Sequence, residues 1–251
     1  MPPSTHLHTD RQRANSFGSA AARYDAYRPG YPDALIGDLL TPDTHRVLDV
    51  GAGTGIVSRQ LSDHGCAVLA VEPDERMATV ARSKGIAVEI ATFEQWEPAE
   101  RRFDLVTFAA SFHWVDPAVA LPKIAAILTP TGRLALLWNR LRATRPTDID
   151  VDDVFGDYVN VEAMADRLGT DAVVGALTAA GFTSTIAEYP RTLHFSLAQW
   201  LELLFTYSTF ITLEPAAADE LRRRLTDRIC DRELTLQGDS LAIVATPHRE
   251  R

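Results

Sequence analysis

Asp49, two residues ahead of the glycines in Gly51-Ala52-Gly53-Thr54-Gly55, and Glu72, at the end of the next apolar run, are the residues of this sequence best suited to hold a charged ligand. Three residues without a Cβ let the backbone turn tightly and let a ligand come close to the main chain. A tight turn with no ligand is the competing reading of the glycines alone, and it weakens once Asp49 and Glu72 are counted with them. The spacing is Gly-x-Gly-x-Gly, whereas a dinucleotide fingerprint needs Gly-x-Gly-x-x-Gly and delivers a pyrophosphate to a helix N-terminus. A carboxylate at Asp49 repels a pyrophosphate and attracts a ligand that carries an ammonium and a sulfonium. Glu72 can accept hydrogen bonds from two ribose hydroxyls. The acidic pair therefore favours S-adenosylmethionine (SAM) over a nicotinamide dinucleotide.

A second group of residues has types suited to an acceptor. His113, in Ser111-Phe112-His113-Trp114, can serve as a general base near neutral pH, or can be an orienting histidine beside Trp114. Either role is compatible with methyl transfer, which gains much of its rate from holding a nucleophile in line with an activated methyl group. Trp138, Asn139, Tyr158, Trp200, Phe205, Tyr207 and Phe210 suggest an aromatic chamber, with Trp114, Trp138, Asn139, Tyr207 and Phe210 as its substrate contacts. Trp200, Leu203, Leu204 and Tyr207 equally match the core face of a helix at i, i+3, i+4 and i+7. Arg222, Arg223, Arg224 and Arg228 read as a solvated helix face rather than a phosphate site. No spacing of His, Cys or carboxylates suggests a metal site.

The elements that position these residues follow from periodicity. Arg46–Val50 is an apolar strand run that ends at the glycines, and Thr54–His64 has helical spacing. Strands are expected at 67–72, 86–91, 103–109 and 132–139, with helices at 74–83, N-capped by Asp74, and 117–128. Apolar strands separated by amphipathic helices imply a mainly parallel sheet covered on both faces. Upstream, 17–40 reads as two helical stretches broken at Arg28-Pro29-Gly30-Tyr31-Pro32, because each proline disfavours helix in the residue before it. Downstream, 140–153 reads as an insertion, 170–180 as a helix closed by Gly181, and 183–190 as a strand. Helices at 196–209 and 215–230 follow, and then two strands, 233–236 and 241–246, joined by a turn at Gln237-Gly238-Asp239. Residues 1 to 15 are polar and unpatterned and are expected to be disordered without a partner.

Val47 to Gly55, Val71-Glu72-Pro73, Phe103-Asp104-Leu105-Val106 and Gly132-Arg133-Leu134 resemble the class I SAM-dependent methyltransferases over about residues 17 to 139. Tyr24 to Pro32 and Ser111 to Asp116 look like the small-molecule branch that includes trans-aconitate-type bacterial methyltransferases. The resemblance implies a Rossmann-like, doubly wound, mainly parallel seven-stranded sheet with a helical cap from the N-terminus and insertions. It implies one elaborated domain: lid helices in 1–40, a SAM-binding core in 41–139, and sheet completion with cap and substrate insertions in 140–251. SAM is then the cofactor and S-adenosylhomocysteine the product. Carried over by position, Asp49, Gly51, Ala52, Gly53 and Gly55 surround the methionine part of SAM, and Glu72 holds the ribose. Thr92, Phe93 and Glu94 fall where adenine is held, with Pro73 and Met77 as apolar cover, although many relatives carry an Asp in the adenine position. Ala109, Ala110 and Ser111 line the transferable methyl, while Tyr24 and Arg28 form a lid, Arg28 facing the carboxylate of SAM.

Composition bounds the acceptor. The net charge of −9 disfavours phosphate backbones and anionic lipid, so neither a nucleic-acid nor a membrane partner is expected. Cys66 and Cys230 form no CxxC pair and suit a reducing compartment, and with no apolar run long enough to span a bilayer the expectation is a cytoplasmic monomer or homodimer. The acceptor is expected to be small and largely apolar, of the kind met in natural-product biosynthesis. The alternatives are a SAM-binding protein that catalyses a non-methylating reaction and a methyltransferase acting on RNA or protein.

Overall fold

The computed structural model describes residues 18, 20–158, 169–230 and 232–248, so the segment expected to be disordered lies outside the described residues. Two short helices come first, α1 (Ala21–Tyr27) and α2 (Asp33–Asp38). Arg28 is extended, as its position before a proline requires. The alternating unit follows as β1 (Arg46–Val50), α3 (Ile56–Asp63), β2 (Ala67–Val71), α4 (Glu75–Ser83), β3 (Ala87–Glu89), β4 (Phe103–Ala109), α5 (Pro117–Ile127) and β5 (Leu128–Leu141). Asp74 caps α4 as expected, accepting from the amides of Arg76 at 2.8 Å and Met77 at 3.3 Å. The remaining described elements are α6 (Asp152–Phe155), α7 (Thr170–Ala179), β6 (Phe182–Phe195), α8 (Leu197–Leu204), α9 (Ser208–Ile211), α10 (Pro215–Ile229) and β7 (Leu234–Pro247).

Seven strands form one sheet in the order β3-β2-β1-β4-β5-β7-β6. β1 to β5 are parallel, and β7 runs antiparallel between β5 and β6. Successive side chains along a strand face opposite ways, which divides the core in two. Val47, Leu105, Ala135 and Leu137 pack with Leu35, Ile36, Val57 and Leu61 of α2 and α3. Leu48, Val106, Leu134 and Leu136 pack with Leu121 and Ile124 of α5 and Leu177 of α7. The sheet is thus covered on both faces, the doubly wound α/β arrangement expected.

Three boundaries differ from the sequence reading. Gln237-Gly238-Asp239 is not a turn but the interior of the continuous 14-residue β7. Gly238 pairs with Leu141 and Arg191, and a Cβ there would collide with the Arg140 carbonyl, so its glycine serves strand proximity. β6 likewise runs past Pro190, which an edge strand tolerates because it lacks a partner on its outer side. The helix expected over 196–209 stops at Leu204, where the Thr206 hydroxyl donates to the Leu203 carbonyl at 2.6 Å, and α9 is separate.

The long β7 carries a separate apolar cluster away from the sheet core. Leu234 and Leu236 pack there with Phe155, Trp200, Leu204, Phe210 and Leu225. Trp200 is fully buried, and its indole N–H donates to the Ala143 carbonyl at 2.8 Å. This cluster is the core of a helical cap made of α6 and α8 to α10.

Candidate active site

A cavity of about 420 Å³ opens at the carboxyl ends of β1, β2 and β4, where α/β sheets bind their ligands. Its floor is the glycine turn. The amides of Gly51 and Ala52 donate to the Val71 carbonyl at 2.8 and 3.3 Å, which curls the turn back onto β2. Gly51, Gly53 and Gly55 all have positive φ, at 63°, 58° and 77°. Their surroundings differ. A Cβ at Gly51 would stand 2.6 Å from the Ser111 Cβ and one at Gly55 would press on Ala81 at 3.0 Å, whereas one at Gly53 would meet nothing within 4 Å. Gly53 is therefore the glycine that keeps ligand space open.

Glu72 stands on the wall beside it, 6% exposed. Its Oε2 accepts from the Gly53 amide at 2.8 Å and its Oε1 from the Asp74 amide at 2.9 Å. Burial outweighs these bonds and pushes its carboxyl up to about 7. Asp49 sits behind the turn rather than on the wall: it is buried, its Oδ2 accepting from Ser58 at 2.6 Å and its Oδ1 from Thr107 at 2.9 Å. Burial likewise raises it, to about 6. The turn therefore stands between its carboxylate and the cavity.

The far wall is the loop after β3. Thr92, Phe93, Glu94 and Gln95 line the cavity together with Pro73, Asp74 and Met77. Phe93 is anchored edge-on against Phe108, ring centroids 5.6 Å apart. Lys123 of α5 donates to the carbonyls of Phe93 at 2.7 Å and Glu94 at 3.3 Å, and also to that of Trp96. Beyond β4 the chain turns through Ala110, at φ 53°, whose amide donates to Leu137 O at 2.8 Å. Ser111 Oγ donates to Val50 O at 2.5 Å, which holds Ala109 to Ser111 against the glycine turn. Trp114, Val115 and Tyr24 of α1 complete the lining. Among the described residues that line it there is no Lys or Arg, and three of them, Glu72, Asp74 and Glu94, are acidic.

The structure thus gathers on one cavity Tyr24, Gly51, Ala52, Gly53, Glu72, Pro73, Met77, Thr92, Phe93, Glu94, Ala109, Ala110, Ser111 and Trp114 from the sequence reading. It places the others elsewhere. Gly55 begins α3 with its cradle on Ala81. The His113 ring packs on Trp114, centroids 4.7 Å apart, and does not line the cavity. Trp138 is buried in the sheet core. Asn139 locks the break between α1 and α2, its Nδ2 donating to Pro29 O at 2.9 Å while its Oδ1 accepts from Ser240 at 2.5 Å and Arg191 at 3.1 Å. Tyr207 stacks on Arg28, and Phe210 packs with Phe155 and Phe205 in the cap core. Arg28 itself turns toward the cap. Val50, Val71, Ala91, Gln95 and Val115 line the cavity and were not named as site residues in the sequence, and Asp74 was named only as a helix cap; each adjoins a residue that was, or ends a strand. All four arginines of α10 are paired, with Glu202, Glu220 and Asp227, Asp157, and Asp153, which is the solvated face expected of them.

A family model described as a methyltransferase domain matches residues 48–136. An uncharacterized methyltransferase of Mycobacterium tuberculosis is 42% identical over 132 residues, 51% of this chain and 54% of that protein. The chain thus spans about half the length of the mycobacterial relatives it matches. A malonyl-[acyl-carrier protein] O-methyltransferase of Herminiimonas arsenicoxydans is 31% identical over 183 residues, 70% of this chain and 68% of that one. Among solved structures, a phosphoethanolamine N-methyltransferase of Haemonchus contortus, bound to phosphomonomethylethanolamine and S-adenosylhomocysteine, aligns with a TM-score of 0.57 at 17% identity, covering 98% of this chain and 60% of that one. That likeness is one of fold.

Proposed function

We propose, from the premise that this chain belongs to the class I SAM-dependent methyltransferases, that it methylates a small, largely apolar acceptor by way of the cavity at Gly51 to Gly53. The observation that carries the reading is Glu72: a buried carboxylate on the wall, next to a glycine whose missing Cβ leaves open space, in a cavity whose lining is acidic and without Lys or Arg among the described residues. That chemistry fits a cationic nucleoside and offers a phosphate no counter-ion. SAM, when bound, supplies an activated methyl group. Glu72 would hold the ribose, Thr92 to Glu94 with Met77 and Pro73 the adenine, and Ala109 to Ser111 the methionine end, with Asp49 adding negative potential from behind the turn. These residues would bind and orient.

His113, next in the chain to Trp114 on the wall, is the proposed proton acceptor where the nucleophile carries a proton. Trp138, buried in the sheet core and away from the cavity lining, would shape the chamber only from behind β5. Asn139, Tyr207 and Phe210 shape the chamber through the lid and cap. The malonyl-[acyl-carrier protein] relative makes a carboxyl oxygen the first acceptor atom to try. No helix of the described residues is long and apolar enough to cross a membrane, and a cytoplasmic monomer or homodimer serving natural-product biosynthesis is the setting proposed.

Calorimetry with SAM and S-adenosylhomocysteine tests the cofactor, and mass-spectrometric transfer assays on short-chain carboxylic acids, thioesters, phenols and amines test the acceptor. Failure of both nucleosides to bind at high micromolar concentration would sink the reading. Binding without transfer to any acceptor would favour the non-methylating alternative, and transfer to RNA or protein alone would favour a macromolecular acceptor.

A further inference from the structure

We infer that Thr206 and Tyr207, cap residues outside the cavity, are positioning residues for the cofactor and act through Arg28 and Tyr24; the inference rests on the reading that SAM fills the cavity. Tyr24 is the lid residue on the cavity wall. Arg28, one helical turn later, lies between two rings, its guanidinium carbon 5.1 Å from the Tyr24 centroid and 3.7 Å from that of Tyr207. Its Nε donates to Thr206 Oγ1 at 2.8 Å and its Nη2 to Thr206 O at 3.1 Å. Thr206 is fully buried, and its hydroxyl proton is already given to Leu203 O at 2.6 Å, so its oxygen is fixed as an acceptor for Arg28. Arg28 makes no ion pair among the described residues, so the rings and Thr206 hold its charge in place.

The rest of α1 is tied in the same sense. Arg23 pairs with Glu202 of α8 at 2.7 Å, and the other oxygen of Glu202 takes Arg222 of α10 at 2.8 Å. On the opposite side Asp25 pairs with Lys84 at the end of α4. A seven-residue helix cannot sustain itself in water. α1 is therefore a bridge seated by the core on one side and by the cap on the other, and Tyr24 stands on the cavity wall only while the cap end is seated. Cap and cofactor are thermodynamically coupled through a contact that spans 178 residues of chain.

The test is S-adenosylhomocysteine affinity, by calorimetry on the full chain, with the melting temperature of each variant recorded. Thr206→Val and Tyr207→Leu each weaken binding by about fivefold or more, while Thr206→Ser and Tyr207→Phe, which keep the acceptor oxygen and the ring, stay within about twofold of the parent. In a Tyr24→Ala background, Thr206→Val then adds no further loss. Parent-like affinity in both Thr206→Val and Tyr207→Leu, or full additivity with Tyr24→Ala, overturns the inference and leaves the cofactor reading standing. A parent chain that binds neither nucleoside overturns both. Should Thr206→Val fail to fold, Tyr207→Leu, on the half-exposed side of the stack, reads the same coupling.

Discussion

Glu72 is a carboxylate whose ionisation the fold opposes and the cofactor should favour. Its carboxyl is raised from about 4.5 to about 7 by burial, so the folded chain holds a proton that the unfolded chain has released. The stabilisation from that proton is complete below about pH 4.5 and is lost as pH rises toward 7. The melting temperature of the ligand-free protein is therefore expected to fall across this window more steeply in the parent than in Glu72→Gln, read by scanning fluorimetry over a pH series. SAM affinity should run the other way and rise from about pH 6 to 8 as Glu72 ionises, with a smaller rise in Glu72→Gln, where Asp49 alone of the pair still ionises. Parallel pH curves in parent and variant would contradict both. At this scale the sequence is informative where chemistry is local: Asp49, the glycines and Glu72 announce themselves by type and spacing. Their partners do not. Ser58 and Thr107 satisfy Asp49 from α3 and β4, and Lys123 organises the 92–96 loop from α5, because hydroxyls and lysines at those positions look no different from any others in a helix or strand.

The glycine turn carries two different demands at its first two glycines, and substitution should separate them. Gly51→Ala adds a Cβ 2.6 Å from that of Ser111 at a positive φ, so it is expected to lower stability by more than the roughly 1–2 kcal/mol of left-handed strain alone. Gly53→Ala meets no protein atom, so its stability loss should stay near that strain while S-adenosylhomocysteine binding is abolished. Denaturant titration beside calorimetry checks this, and equal stability losses would show that the turn is not shaped as described. Elements of the parallel unit were legible because their strands are short apolar runs bounded by caps, as at Asp74. The error at Gln237-Gly238-Asp239 has a physical cause: residues that favour turns were selected here for other reasons. Gly238 admits the β5 backbone and Asp239 pairs with Arg140 at 2.6 Å across the strands. Tertiary contacts of this kind override local propensity.

At the scale of the molecule, two long strands, β6 and β7, run from the sheet core around Leu48 and Leu136 to the cap core around Trp200 and Phe155. Trp200→Ala is expected to cost about 3–5 kcal/mol if the two cores unfold together, measured by chemical denaturation. If instead hydrogen exchange in that variant accelerates only in α8 to α10, the cap opens as a separate unit. The α/β core was legible as a regular alternation, whereas the cap was legible as separate helices over 196–209 and 215–230 and a set of aromatic residues but not as one packed body, because no local pattern says which helix faces meet. Strand order sets how far apart in the chain the pairing partners lie. Among the described residues β6 is bonded to β7 alone, and β7 is also the second neighbour of β5, so β6 joins the sheet by way of a strand that follows it three helices later. The parallel half, with its glycine turn, finds all its pairing within residues 46–141. The two halves of one sheet thus differ in contact order, and the half that carries the cap is the one built from the longer loop closures.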